Sequence, residues 1–217
     1  MKTLSNPLRI SAFIIGISSI LATLILIIIR APILGVGGSY FSTFWELARY
    51  FTILVNFIVS IILIEASLRG YWRNFSLFTA ATVWIWIVGV IYHLLLAGGH
   101  NPTGVGAVTN QIHHSVVPFG AFLIWILTKS RDHIPMRAPF LWLIFPIFYT
   151  VYVLLRGQLD NQYPYDFSNP NVLGWGGFLI AQTMFLIFFL CLGLGFRYVS
   201  NLWLKRNALK ASLAESL

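Results

Sequence analysis

The stretch Ile10–Ile29, ISAFIIGISSILATLILIII, decides the fold class. It contains 20 residues and no charged side chain. A helix rises about 1.5 Å per residue and crosses the roughly 30 Å hydrocarbon core of a bilayer in that length. Lys2 and Arg9 precede the run, as in a signal peptide, but a signal peptide has a shorter apolar region of about 7 to 15 residues. The run therefore predicts a membrane-spanning helix.

Five further apolar runs of spanning length follow the first. They are Trp45–Leu68, Phe75–Ala97, Ile112–Thr128, Ala138–Leu155 and Leu173–Phe196. Short stretches rich in Gly, Pro, Asn or charge separate them. With 58% hydrophobic and only 9% charged residues, the composition is far from that of a soluble domain, which carries about a quarter charged residues. The chain is predicted to be all-α, with six transmembrane helices in one bundle over residues 1–217.

The distribution of basic residues predicts the orientation, because Lys and Arg near helix ends are retained in the cytoplasm. Eleven of the 14 fall on the side that carries both chain ends. Those eleven are Lys2, Arg9, Arg69, Arg73, Lys129, Arg131, Arg137, Arg197, Lys205, Arg206 and Lys210. The other side has only Arg30, Arg49 and Arg156. The N and C termini are therefore predicted to be cytoplasmic.

The same basic residues argue against other classes of protein. The net charge of +8 is scattered between apolar segments and forms no stripe that nucleic acid could follow. Cys191 is the only cysteine, so the chain has no intrachain disulfide and no CxxC motif. We predict no metal and no cofactor, and we expect the partners to be membrane lipids.

Polar side chains in the predicted second and fourth helices are the candidates for chemistry. In a continuous helix, one face carries the polar residues Arg49, Thr52, Asn56 and Ser60. These residues either form a functional site or make hydrogen bonds between helices. Four histidines gather near the predicted outer ends of helices three and four. They are His93, His100, His113 and His114. Histidine titrates near neutrality and can act as a base or ligand, so the pattern predicts a site in the outer leaflet.

Three segments resemble a known family of multipass membrane proteins. They are Tyr50-Phe51-Thr52-Ile53-Leu54-Val55-Asn56, Asn110-Gln111-Ile112-His113-His114-Ser115-Val116-Val117-Pro118, and Tyr163-Pro164-Tyr165-Asp166-Phe167 followed by Gly174-Trp175-Gly176-Gly177. Their order and separation are similar to those of the androgen-induced protein and androgen-dependent TFPI-regulating protein family. The similarity is strongest to its shorter bacterial members, which favours a bacterial inner membrane as the location.

This resemblance implies an activity and two catalytic residues. Animal members of the family hydrolyse fatty acid esters of hydroxy fatty acids with an intramembrane threonine nucleophile and a histidine on another helix. The matching threonine is Thr52. In the family motif the catalytic histidine lies four residues after an asparagine, and counting from Asn110 selects His114 as the base. In animal members the histidine is one residue further from the following proline, and counting back from Pro118 in that way selects His113. Asp166 stands where relatives often have proline.

Several roles remain open on sequence grounds. Asn56 or a backbone N–H is expected to stabilise the oxyanion, and Arg49 either binds a substrate carboxylate or pairs with Glu46. The predicted substrate-binding residues are Arg49, Asn56, His93, His113 and Asn110. The loop 163–167 is either a lid or an aromatic anchor at the interface. Alternatives to hydrolysis are a membrane scaffold or transporter, and a haem electron-transfer protein with His93 and His114 as axial ligands.

Overall fold

The computed structural model describes residues 3–99, 101–129 and 131–215, without the side chains of Leu34 and residues 210–215. Within these residues every regular element is a helix. The α-helices are α1 Asn6–Leu34, α2 Tyr40–Leu47, α3 Phe51–Arg69, α4 Phe75–Ile91, α5 Gly104–Gln111, α6 Val117–Leu127, α7 Ala138–Trp142, α8 Ile144–Asp160 and α9 Pro170–Glu215. The prediction of an all-α chain is confirmed for the part of the chain described.

Five helical segments are long and apolar enough to cross a membrane. They are Asn6–Ile33, Phe51–Arg69, Phe75–Gly99, Ala138–Asp160 and Pro170–Leu209. Each corresponds to one of the predicted spans. The segment 104–127, which covers the predicted fourth span except Thr128, is also helical throughout. It is not among the five, and it carries six polar residues, namely Thr109, Asn110, Gln111, His113, His114 and Ser115.

The predicted second span is divided into α2 and α3, because the chain is extended at Tyr50. Side chains of α8 satisfy the carbonyls exposed at this break. Arg156 donates to the Trp45 carbonyl, the Tyr152 hydroxyl lies 3.4 Å from the Ala48 carbonyl, and the Tyr149 hydroxyl donates to the Arg49 carbonyl at 2.9 Å. An intramembrane helix end is stable only when such groups find partners. The break makes Thr52 part of the first turn of α3.

A π-helical turn over Ile112–Val116 joins α5 to α6. The Val117 N–H bonds to the Ile112 carbonyl instead of the carbonyl of His113, and Pro118 has no N–H to offer the carbonyl of His114. Two consecutive carbonyls thus lose their usual helical partners. The loop expected between Gly98 and Gln111 is also helical from Gly104 onward, which extends this segment beyond its predicted start.

The basic segments meet at one end of the bundle. The Leu4 N–H donates to the Gly70 carbonyl at 2.7 Å, and the Ile134 N–H donates to the Asn201 side chain at 3.0 Å. The Arg131 guanidinium lies 4.5 Å from the Trp125 ring and 4.6 Å from the Trp203 ring. The break before α3 lies next to α8, because side chains of α8 donate hydrogen bonds to backbone carbonyls at the break. Consecutive long helices therefore run in alternate directions.

The bundle exposes large apolar side chains along its outer helices. Examples are Ile14, Leu21 and Ile28 on α1, Phe148 and Leu155 on α8, and Ile180 and Met184 on α9. Soluble monomers rarely expose contiguous apolar patches of more than a few hundred Å². These surfaces are compatible with an integral membrane protein whose outer helices face lipid.

Candidate functional site

Thr52 and His114 come together between α3 and the π-helical turn. The Thr52 Oγ1 lies 3.4 Å from the His114 Nε2. This is long for a hydrogen bond between a hydroxyl and an imidazole, but catalytic hydrogen bonds are often long before substrate binds. A hydroxyl next to an imidazole is the minimal arrangement for an activated oxygen nucleophile.

Thr52 differs from the threonines that bond to their own helices. The hydroxyls of Thr23, Thr43, Thr79, Thr82 and Thr128 each donate to the carbonyl four residues earlier. That is the common arrangement of threonine in membrane helices. The carbonyl four residues before Thr52 belongs to Ala48, beyond the break, and it faces the Tyr152 hydroxyl. The break before α3 thus leaves the Thr52 hydroxyl directed at His114.

The imidazole of His114 is held on two sides. Its Nδ1 lies 3.0 Å from the Asn110 carbonyl oxygen, and its ring stacks on Tyr92 with 4.0 Å between ring centroids. Because a carbonyl can only accept, Nδ1 carries the proton of the neutral ring and Nε2 presents a lone pair to Thr52. The Asn110 side chain also donates to the Tyr92 hydroxyl. His114 is therefore oriented as a base toward Thr52.

An apolar cleft opens at the Thr52 and His114 side chains. Its empty volume is about 770 Å³, counting the open space at its mouth. Its walls come from α3, α4, α8, α9 and the loop between α8 and α9. Aromatic lining residues include Phe51, Tyr165, Phe167, Phe178, Phe185 and Phe189. The cleft can accept an apolar chain with its reactive group next to Thr52.

The first turn of α3 is a favourable place for negative charge. Thr52 is the second residue of the helix, where unpaired N–H groups and the helix dipole create positive potential. The Phe51 N–H donates to the Tyr149 hydroxyl at 3.0 Å. Tyr165 lines the cleft beside this turn.

The structure does not place Arg49 among the cleft residues. Its guanidinium pairs with both oxygens of Asp160 at 3.0 and 2.7 Å and with Glu46 at 2.8 Å, and it donates to the Gln162 carbonyl at 2.6 Å. Burial alone would lower the pKa of Arg49, but the bonds to Asp160 and Glu46 raise it above its usual value. The predicted pairing with Glu46 is thus present, and the bonds of Arg49 tie the start of the loop after α8 to the break before α3. Binding of a substrate carboxylate by Arg49 stays a prediction.

Asn56 also has partners other than a substrate. Its Nδ2 donates to the Thr52 carbonyl at 2.9 Å and to the His113 carbonyl at 3.2 Å, and its Oδ1 accepts from Ser19. Both N–H groups of the amide are used, so the predicted role in an oxyanion hole is not available to it. Asn56 instead satisfies the carbonyl that the π-helical turn leaves without its usual helical partner.

The predicted histidines separate into different environments. His113 is buried and its Nε2 lies 3.0 Å from the Thr23 hydroxyl of α1, away from Thr52. His93 is exposed and its Nε2 lies 3.0 Å from the Ser115 hydroxyl. Neither is among the residues that line the cleft, and His100 lies outside the described residues. Asn110 orients His114 through its carbonyl and is not a cleft residue either.

Sequence reasoning missed a polar face on α8. Tyr149, Tyr152, Arg156 and Asp160 recur at intervals of three or four residues, the spacing of one helix face. Counting this stripe in the predicted fifth helix would have pointed to a polar partner for the segment before Thr52. Tyr92 carried no such signal, because its contact with His114 depends on the π-helical turn.

Comparisons of the chain with family models, curated proteins and solved structures give no match. The fold and the site together define a helical chain with membrane-compatible surfaces and a paired threonine and histidine at an apolar cleft. Among the residues that the structure describes, no three His, Cys, Asp or Glu side chains gather as potential metal ligands.

Proposed function

We propose that the protein is an intramembrane lipid-ester hydrolase that uses Thr52 as nucleophile and His114 as general base. The observation that carries the proposal is the Thr52 hydroxyl, 3.4 Å from an imidazole nitrogen of fixed tautomer at the end of an apolar cleft. The family resemblance selects the same two residues. Fatty acid esters of hydroxy fatty acids are the substrate class that the resemblance implies.

The reaction proceeds in two halves. Thr52 Oγ1 attacks the ester carbonyl while its proton passes to His114 Nε2, and the ester C–O bond then breaks as His114 returns that proton to the leaving alcohol. Water enters, gives a proton to His114 and attacks the carbonyl carbon of the acyl-threonine. The bond from that carbon to Thr52 Oγ1 then breaks as His114 returns the proton to Oγ1, which releases the fatty acid and restores the Thr52 hydroxyl. Nδ1 keeps its proton throughout, because the Asn110 carbonyl accepts from it.

A fluorophosphonate probe tests the nucleophile directly. Thr52 Oγ1 is expected to displace fluoride from phosphorus, and mass spectrometry should find the adduct on the peptide containing Thr52. The matched control is Ser115→Ala, since Ser115 is the rival hydroxyl, paired with His93 outside the cleft. Undiminished labelling of Ser115→Ala supports Thr52. An adduct on Ser115, or no adduct while the protein is folded, points to another nucleophile or to a scaffold or transporter.

The haem alternative receives less support from the geometry. The Nε2 atoms of His93 and His114 are directed at different hydroxyls, those of Ser115 and Thr52. Axial coordination would require both imidazoles to leave these partners and turn toward one space. The Thr52 and His114 pair therefore favours hydrolysis over electron transfer.

We also propose six spans with both termini in the cytoplasm, and a bacterial inner membrane as the location. The meeting of the basic segments at one end of the bundle supports the orientation, and the resemblance to bacterial proteins supports the location. In this arrangement the segment 104–127 is the fourth span, and its residue His114 lines the cleft.

Cysteine accessibility in intact cells checks this orientation. In a Cys191→Ser background, Asn101→Cys is expected to react with an impermeant maleimide, because residue 101 lies on the proposed outer side. Met136→Cys, which is equally exposed on the protein surface, is expected to react only after the cells are permeabilised. The reverse pattern would invert the topology.

A further inference from the structure

Tyr165 is a polar residue of the cleft that has no role in the two-step mechanism proposed above. It belongs to the loop between α8 and α9 and lines the cleft with Thr52 and His114. Its ring packs edge-on against Tyr50, the residue that immediately precedes α3. The phenol therefore lies beside the first turn of α3, which carries the nucleophilic oxygen.

The ring of Tyr165 is held by its neighbours. Its centroid lies 4.8 Å from that of Phe167 in a stacked pair and 6.0 Å from that of Tyr50 in an edge contact. The Ser168 hydroxyl donates to the Tyr165 carbonyl at 2.8 Å. Arg49 fixes the start of the same loop through the Gln162 carbonyl. A hydroxyl held this way is preorganised, which is what effective stabilisation of a transition state requires.

We propose that the Tyr165 hydroxyl donates a hydrogen bond to the oxyanion of the tetrahedral intermediate, together with the Thr52 N–H. When Thr52 Oγ1 bonds to the carbonyl carbon, the electron pair of the C=O π bond moves to the carbonyl oxygen. That oxygen is two bonds from Oγ1, so a donor that lines the same cleft beside the first turn of α3 is within reach of it. This inference rests on the proposed function.

The ionisation state of Tyr165 fits this role. Burial raises the pKa of the Tyr165 hydroxyl to about 12. The phenol therefore keeps its proton at neutral pH, and it remains a donor. Tyr165 also takes the place in the oxyanion hole that sequence analysis gave to Asn56, whose N–H groups are both bonded elsewhere.

Removal of the hydroxyl alone tests the inference. Tyr165→Phe keeps the ring and its stacking on Phe167, so the cleft should remain intact. We expect kcat for a p-nitrophenyl ester of a medium-chain fatty acid to fall by about 10² to 10³-fold, as when one oxyanion donor is lost, with little change in KM. The matched control in the same loop is Tyr163→Phe, whose hydroxyl bonds to Gln158. It should retain the wild-type kcat.

The outcome for Thr52→Ala, measured in parallel, separates the two proposals. Wild-type kcat in Tyr165→Phe with an inactive Thr52→Ala would overturn the oxyanion role and leave the hydrolase intact. Wild-type kcat in Thr52→Ala would overturn both. An equal loss in Tyr163→Phe and Tyr165→Phe would reduce Tyr165 to a lid or an aromatic anchor.

A fluorinated tyrosine at position 165 gives a second measurement that does not depend on how Tyr165→Phe folds. Fluorination lowers the pKa of the phenol while keeping its shape. Above that lowered pKa the phenolate can no longer donate, so kcat should fall as the pH rises, whereas the wild-type protein, with its pKa of about 12, should show no such loss. An identical pH profile for both proteins would contradict the proposal.

Discussion

Thr52→Ala is expected to abolish ester hydrolysis, with kcat falling by a factor on the order of 10⁴ or more, as for removal of a nucleophile from a hydrolase. Alanine removes the only atom that can form the acyl intermediate, while its small side chain is compatible with the first turn of α3. The measurement is turnover of a lipid ester in detergent by the purified protein, with thermal unfolding followed alongside to show that the bundle persists.

Two variants make this result specific. Thr52→Ser retains the Oγ and should remain active, because serine can take the same place opposite His114. Thr82→Ala removes a buried hydroxyl that donates only to the Phe78 carbonyl of its own helix, and it should leave kcat unchanged. Near-normal turnover by Thr52→Ala would remove Thr52 from the mechanism whatever its distance from His114.

Much of the fold was predictable from the sequence because hydrophobic length is a local property. The run Ile10–Ile29 lies inside α1, and five predicted spans correspond to five apolar helices. The break between α2 and α3 was not predictable in the same way. It depends on Tyr149, Tyr152 and Arg156, which lie about a hundred residues later in the chain and satisfy carbonyls at the break.

The candidate site was predictable only in part, for a related reason. The sequence predicted Thr52 and His114 at a similar level of the bundle, and the family resemblance names the same pair. The roles of Arg49 and Asn56 depend on partners that no local pattern shows. Arg49 finds Asp160 from α8, and Asn56 finds the His113 carbonyl left by the π-helical turn. Both residues therefore have partners within the protein that the sequence pattern did not show.

His114→Ala is expected to reduce kcat to about the same residual rate as Thr52→Ala, and the double variant should be no worse than either. Residues that act as one unit show such non-additivity, because removal of either partner already eliminates the activated nucleophile. Added imidazole should restore part of the activity of His114→Ala, since the small base can enter the cleft beside Thr52. It should restore none in Thr52→Ala or in the double variant.

His113→Ala provides the contrast that identifies the base. His113 is buried and its side chain bonds to Thr23 of α1, so its loss should lower stability, by about 1 to 3 kcal/mol for a buried polar contact. Its kcat should stay close to that of the wild-type protein, and imidazole should not change it. An inactive His113→Ala that imidazole rescues, beside an active His114→Ala, would assign the base to His113. The spacing to proline would then be the correct guide, and Thr52 would have to turn toward α1 to react.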